Sequence, residues 1–183
     1  MTTTPALTDL TGDYVLDPAH TRIGFIARHA MVTKVRGAFH QFEGTAHLDG
    51  ADPARSTAQV VIKAESIDTG VEQRDQHLRT NDFRLPRTRH HLPHQLCRGA
   101  VRHRVPRHRR PDHQGHHSPV TIDFEYTGNA VGPYGNLRVG LEGSVTISRK
   151  EYGVTWNAAL EGGGVLVGDK VVLEFDISAI KQK

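Results

Sequence analysis

The 183-residue chain has a single cysteine, a single tryptophan and only 6% aromatic residues. Cys97 alone cannot form an intramolecular disulfide, so no covalent staple holds the fold. No window approaches the roughly 18 consecutive apolar residues that a helix needs to cross a bilayer. Met1 to Gly12 is Thr-rich and has neither a positive leader nor an apolar stretch. It does not read as a secretory signal, and a cytoplasmic location is expected. A nucleophile elbow, a metal triad, a phosphate loop and a dinucleotide fingerprint are also missing.

What is present is unevenly distributed. Residues 84–117 carry eight of the thirteen histidines and nine arginines against one acidic residue, Asp112, a net charge of +8. The remainder has 14 basic and 19 acidic side chains, a net charge of −5. The formal charge of +3 therefore describes neither part, and the body of the protein is acidic. At this length a single domain over 1–183 is expected, with 1–11 as a flexible N-terminus.

Outside 84–117 the chain alternates apolar and polar residues. Ile23, Phe25, Ala27 and His29 share one face; Val35, Gly37 and Phe39 follow, then Phe42, Gly44, Ala46 and Leu48. Ala58, Val60, Ile62 and Ala64 alternate in the same way, as do Val120, Ile122, Phe124 and Tyr126. Val139, Leu141, Gly143, Val145 and Ile147 form another such face, and Val171, Leu173, Phe175 and Ile177 the last. Period two means strands with one wet side. Turns are expected at Asp49-Gly50, Gly132-Pro133, Gly135-Asn136 and Gly168-Asp169. Many such strands and few helices predict an antiparallel sandwich or closed barrel. Small residues on the inner faces leave volume unfilled, so the interior is either simply packed or holds an apolar ligand. Ser66 to Thr80 reads as a short helix near 68–79, capped by Asp68 or Thr69, with Glu72, Arg74 and Asp75 exposed and Leu78 packed inward.

The segments Gly12 to Gly44 (GDYVLDPAHTRIGFIARHAMVTKVRGAFHQFEG) and Ser66 to Phe83 (SIDTGVEQRDQHLRTNDF) closely resemble the YceI family. The resemblance resumes at Ser118 (SPVTIDFEYTG) and in the closing SRKEYGVTWNAALEGGGVLVGDKVVLEFDISAI. It implies an all-β, lipocalin-like, eight-stranded antiparallel β-barrel with an apolar tunnel for a polyisoprenoid lipid, an isoprenoid quinone or a polyprenyl phosphate. On that likeness Ile23, Phe25, Ala27, Val35, Phe39, Phe42, Val60 and Ile62 line the tunnel. So do Phe124, Leu141, Val145, Trp156, Leu173 and Phe175. His29 ends an inward face, where it meets a ligand head group or sits in the wall. Asp17, His20, Arg74, Asp75 and His77 match polar positions of the family and are read as structural hydrogen-bonding and ion-pairing groups. No catalytic residue, metal ligand or cofactor other than the lipid is expected. Transient membrane contact and a homodimer are both compatible with this reading.

Residues 84–117 depart from the family where two further strands are expected. Their histidines offer no helix-face pair with a third ligand for a metal: His113 and His117 are four apart, but Pro111 and Gly115 oppose a helix. The arginines could bind nucleic-acid phosphates, yet no aromatic residue is there to stack on bases. A disordered basic arm is a third reading. A shifted reading frame accounts for the composition best. His is encoded CAT or CAC, so one base onward, before a C, the codon reads Ile or Thr. So shifted, His103 to His117 is compatible with TAYRVTGDLTIKGIT, which alternates like a strand and runs into Ser118. Arg84 to Pro86 becomes compatible with Asp-Phe-Pro. As written, the stretch is expected to be irregular, with two barrel strands lost and their neighbours' edges unpaired.

The leading functional expectation is therefore a non-enzymatic protein that binds, sequesters or transports an isoprenoid lipid. The alternative is an enzyme using polar groups at the barrel mouth, His20 with Asp17, or Arg74, Asp75 and His77, as acid/base residues. Binding of nucleic acid or metal would rest wholly on 84–117, and no nucleic-acid partner is expected.

Overall fold

The computed structural model describes residues 7–82, 95–100, 120, 122–152 and 154–183. Ten strands form one sheet: β1 (Gly12–Leu16), β2 (Arg22–His29), β3 (Thr33–Phe39), β4 (Phe42–Leu48), β5 (Thr57–Ile62), β6 (Ile67–Asp68), β7 (Gln95–Ala100), β8 (Phe124–Val131), β9 (Leu137–Ser148) and β10 (Val167–Lys181). Among the described residues there is a single α-helix of one and a half turns, α1 (Glu72–His77), which continues into a π-helical turn at Leu78–Asp82.

The fifteen-residue β10 organises the wall. Along one edge it pairs with β2, from Val167↔His29 to Asp176↔Arg22, and then with β1, from Ala179↔Leu16 to Lys181↔Tyr14. Its other edge carries β9 from Lys170 to Ile180, and β8 pairs with β9 beyond it. Thus β1 and β2 act as one wall strand interrupted at Asp17–Thr21. Next to them, β4 lies on β1 and β3 on β2; outside those, β5 lies on β4 and β6 on β3. Every pairing is antiparallel, and β7 completes the series on β5. The fold is a lipocalin-like antiparallel β-barrel. Among the described residues no ladder joins β7 to β8.

Alternation fills the interior as the period requires. Tyr14, Leu16, Ile23, Phe25, Val60, Ile62, Val139, Leu141, Leu173, Phe175 and Ile177 belong to one continuous buried cluster. Burying each such side chain is worth about 1.5–3 kcal/mol, which makes this face the main source of stability.

Leu7–Leu10 forms a 3-10 turn, Leu10 is buried, and its carbonyl accepts the Tyr14 hydroxyl at 2.7 Å. Three expectations are corrected. Gly168-Asp169 is not a turn but lies within β10, at the irregularity between Val167 and Val171. Helix α1 is entered from Val71 with no side-chain cap, and Asp75 is buried because the Thr69 amide (3.0 Å) and hydroxyl (2.5 Å) both donate to its carboxylate. Finally, 84–117 is not irregular throughout, since Gln95–Ala100 forms β7 and pairs with Thr57–Val61. Residues 94–105, between Pro93 and Pro106, are the longest proline-free run of the stretch. Backbone pairing needs N–H groups rather than particular side chains, so an open β5 edge can recruit this run.

Candidate functional site

The inner face of the barrel is the candidate site. Of the residues expected to line it, Ile23, Phe25, Val60, Ile62, Leu141, Leu173 and Phe175 are buried. Phe39, Phe42, Phe124 and Val145 are partly buried against that cluster, and Ala27 and Val35 are half-buried. His29 and Trp156 stand apart from the interior. His29 is exposed at the last residue of β2, and Trp156 is 38% exposed on the segment that follows β9.

The volume expected from small inner-face residues is occupied. A Cβ on Gly37 would come within 2.5 Å of the Phe25 ring and 2.8 Å of the Asp68 carbonyl oxygen. A Cβ on Gly143 would lie 2.8 Å from the Phe124 ring. Both glycines face a phenylalanine across the ladder, so each absent side chain makes room for a ring. Phe25 then leans on Phe39 with ring centroids 5.6 Å apart, and Phe124 meets Phe175 edge-on at 5.8 Å. Among the described residues an enclosed apolar cavity of about 20 Å³ lies in this interior. Its walls include Leu16, Ala46, Ala58, Val60, Ile122 and Phe124. It lies between β5 and the start of β8, on the side where β7 and β8 share no ladder among the described residues.

Two polar clusters flank the interior. At the β1–β2 break, Asp17 accepts hydrogen bonds from the Ala19 amide (3.1 Å) and the Arg138 guanidinium, with His20 Nδ1 2.7 Å away. Burial pushes the Asp17 carboxyl up, but the His20, Arg138 and Ala19 hydrogen bonds and the Arg138 charge outweigh it and hold it below the usual carboxylate range. Thr21 and Ser178 close the same break with two reciprocal bonds of 3.0 and 3.1 Å. In the second cluster Arg74 donates to the Thr69 hydroxyl (2.7 Å) and carbonyl (2.9 Å), beside the Asp75 bonds described above. His77 packs edge-on against Trp156 with centroids 4.4 Å apart, tying α1 to the segment after β9. These groups are committed to holding loops and the helix to the wall.

Among the described residues no group of three or more His, Cys, Asp or Glu side chains is arranged to hold a metal ion. His90, His91, His94, His103, His108, His113, His116 and His117 lie outside the residues whose side chains are described. No described helix is long and apolar enough to cross a membrane.

Sequence reasoning missed Tyr14 and Leu16 as interior residues, although their spacing of two in Gly12–Leu16 carries the signal. It also missed Arg138, whose partner Asp17 is 121 residues away. No local pattern points to that pairing.

Comparison with known proteins agrees with the geometry. Solved structures share the fold at low identity. A polyisoprenoid-binding domain from Saccharophagus degradans implicated in plant cell wall breakdown superposes with a TM-score of 0.52 at 13% identity, covering 92% of this chain and 98% of that one. A Campylobacter jejuni YceI protein gives 0.54 at 17% identity, covering 85% and 90%. A UPF0312 protein of Staphylococcus epidermidis is 34% identical over 166 residues, spanning 86% of this chain and 91% of its own length. One from Staphylococcus aureus is 30% identical over 170 residues, spanning 88% and 94%. The YceI-like domain model matches residues 14–84 and 113–179, and its gap falls on the basic stretch. The chain belongs to the YceI-like family.

Proposed function

We propose that this barrel binds a polyisoprenoid lipid, an isoprenoid quinone or a polyprenyl phosphate, in its apolar interior and sequesters or carries it without catalysing a reaction. The observation that carries the reading is a continuous inner face built from aliphatic and phenyl side chains, on a chain of the YceI-like family. Each buried CH₂ is worth about 0.8 kcal/mol, so a prenyl tail needs no strong polar contact to be held.

At about 20 Å³ this cavity has room for roughly one water molecule, far short of a prenyl chain. Its position supports the frame reading of 84–117: it lies where the ladder between β7 and β8 is interrupted and where the family match has its gap. We take the ligand-competent barrel to be the one with frame-restored residues at 84–117, in which a further strand spaces β8 from β5 and keeps Ile122 and Phe124 off the β4–β5 wall.

The test is organic extraction of the purified, frame-restored protein followed by mass spectrometry. A stoichiometric prenyl lipid is expected. Its absence from protein prepared from cells rich in such lipids contradicts the reading. Unchanged turnover after His77→Ala, should any turnover be found, removes the enzymatic alternative at that group.

A further inference from the structure

Both ends of the barrel expose apolar side chains, but at only one of them do a strained turn and an all-basic hairpin stand behind those side chains. At one end, the β2–β3 hairpin turns at His29–Val32, closed by the Val32 amide donating to the His29 carbonyl at 3.0 Å. Both central residues have positive φ, Ala30 at 48° and Met31 at 61°. Turns of that kind are dominated by Gly, Asn and Asp, because other L residues are strained there. Here the strained turn presents apolar side chains to solvent: Met31 is 60% exposed and Val32 75%. Backbone bonds bring two more segments alongside. The Ala30 amide donates to the Leu166 carbonyl at 2.7 Å, and the Leu166 amide to the Ala158 carbonyl at 2.9 Å. Their neighbours Val165 and Trp156 are 39% and 38% exposed. One rim of the barrel is therefore apolar across three adjacent segments.

The hairpin behind this rim carries charge of one sign, although Asp169 of the adjoining β10 lies beside Arg28, where it accepts the Ser148 hydroxyl. From Arg22 to Arg36 the hairpin has four basic residues and no acidic one, in a body that is otherwise acidic. Arg28 and Lys34 are directly opposite each other across the ladder, and both are exposed. Like charges so placed weaken a hairpin unless an anion lies between them. None of the ion pairs among the described residues involves either one. Arg28 Nη1 donates to the Val32 carbonyl at 3.3 Å, which holds its guanidinium at the turn, and Lys34, at about 3.4 Å per residue, stands roughly 7 Å behind the turn's tip. An apolar element buried about 5–10 Å into the boundary between headgroups and acyl chains would set such cations level with lipid phosphates.

We propose that the Met31–Val32 end of the barrel docks on an anionic lipid bilayer, with the rim inserted and Arg28 and Lys34 on the phosphates. The inference deepens the lipid-binding reading and rests on it for its purpose, since a prenyl tail has to leave a bilayer to reach the barrel.

The test is flotation of the intact chain with vesicles of mixed phosphatidylcholine and phosphatidylglycerol. Three proteins are compared: the parent, Met31→Ser with Val32→Ser, and Val131→Ser with Tyr134→Ser. The last pair removes exposed apolar side chains (59% and 91%) from the β8–β9 turn, at the opposite end of the barrel. All three keep the arginines of 84–117, so any binding through that stretch is common to them. We expect the Met31/Val32 pair to lower partitioning about tenfold or more, the Val131/Tyr134 pair to leave it unchanged, and binding to weaken as salt rises. Equal binding by all three, equal loss in both variants, or no binding by the parent overturns the docking site. Loss of self-association in the Met31/Val32 variant, with vesicle binding unchanged, would assign the rim to a second copy of the chain instead. None of these outcomes bears on the extraction experiment, whose failure alone would remove the lipid ligand.

Discussion

The half of the barrel around β2, β3, β9 and β10 and the half around β4, β5, β7 and β8 begin from the same alternation and end differently. In the first, β2, β3, β9 and β10 each pair along both edges, β3 with β6 over only two residues. Its glycines are filled by rings, and Ile23 is wholly inaccessible. In the second, β5 is followed by a six-residue strand, and β7 and β8 share no ladder among the described residues. The cavity lies on that side. Alternation supplies a face to bury. Whether it is buried against a complete wall depends on the neighbouring strand being there.

The largest expected effect comes from removing the difference. A chain encoding the shifted-frame residues across 84–117 should complete the ladder from β7 to β8. It should be more stable by roughly 4 kcal/mol or more, the worth of a few newly buried aliphatic side chains. Hydrogen exchange at Phe124–Val131 should slow by orders of magnitude; unchanged exchange there would mean that the two halves are already equally closed.

A smaller effect is expected at the Asp17 cluster, which anchors the complete half at the β1–β2 break. Asp17→Asn should cost about 1–3 kcal/mol at neutral pH by weakening charge-assisted bonds to Arg138 and His20. Because folding lowers the Asp17 pKa, its contribution is in place above the ordinary carboxylate value of about 3.9 and is lost as pH falls through the lowered folded value. Asp49 and Asp68, lowered chiefly by backbone amides of Asp52 and Gly70 respectively, titrate in the same direction. Chemical denaturation of Asp17→Asn against pH should therefore show a shallower acid limb, not a flat one. An unchanged limb would remove Asp17 from the account.

The smallest effect is the most direct comparison of the halves. Ile23→Val and Ile62→Val delete the same methyl group from buried positions, 0% and 4% exposed. Beside a complete wall the site cannot relax, and Ile23→Val should cost about 1–1.5 kcal/mol. Ile62→Val, next to the interrupted ladder, should cost about 0.5 kcal/mol. Equal losses by urea denaturation would mean that the second half is as tightly packed as the first.

The strands were legible because period two is local: Ile23, Phe25, Leu173 and Phe175 announce their inward face within a few residues. The site was legible to the same depth, as a face. Asp75 was misread because its two bonds come from Thr69, in the turn before the helix, and helical periodicity says nothing about that turn. His29 and Trp156 are more exposed than the rest of the expected lining, because alternation does not reveal where a wall ends. Gly37 and Gly143 looked like empty volume because their occupants, Phe25 and Phe124, come from neighbouring strands.

By itself the sequence determined the strand pattern, the family and the basic, histidine-rich composition that sets 84–117 apart, since all three reside in neighbouring residues. Tertiary structure alone decided which edges meet, that Asp17 finds Arg138 across 121 residues, that rings rather than a ligand fill the space over the glycines, and that Met31 and Val32 share a rim with Trp156. The physical reason is that alternation specifies a face without naming its partner. Partners follow from the order in which strand edges pair, and in this barrel one such edge lacks its ladder among the described residues.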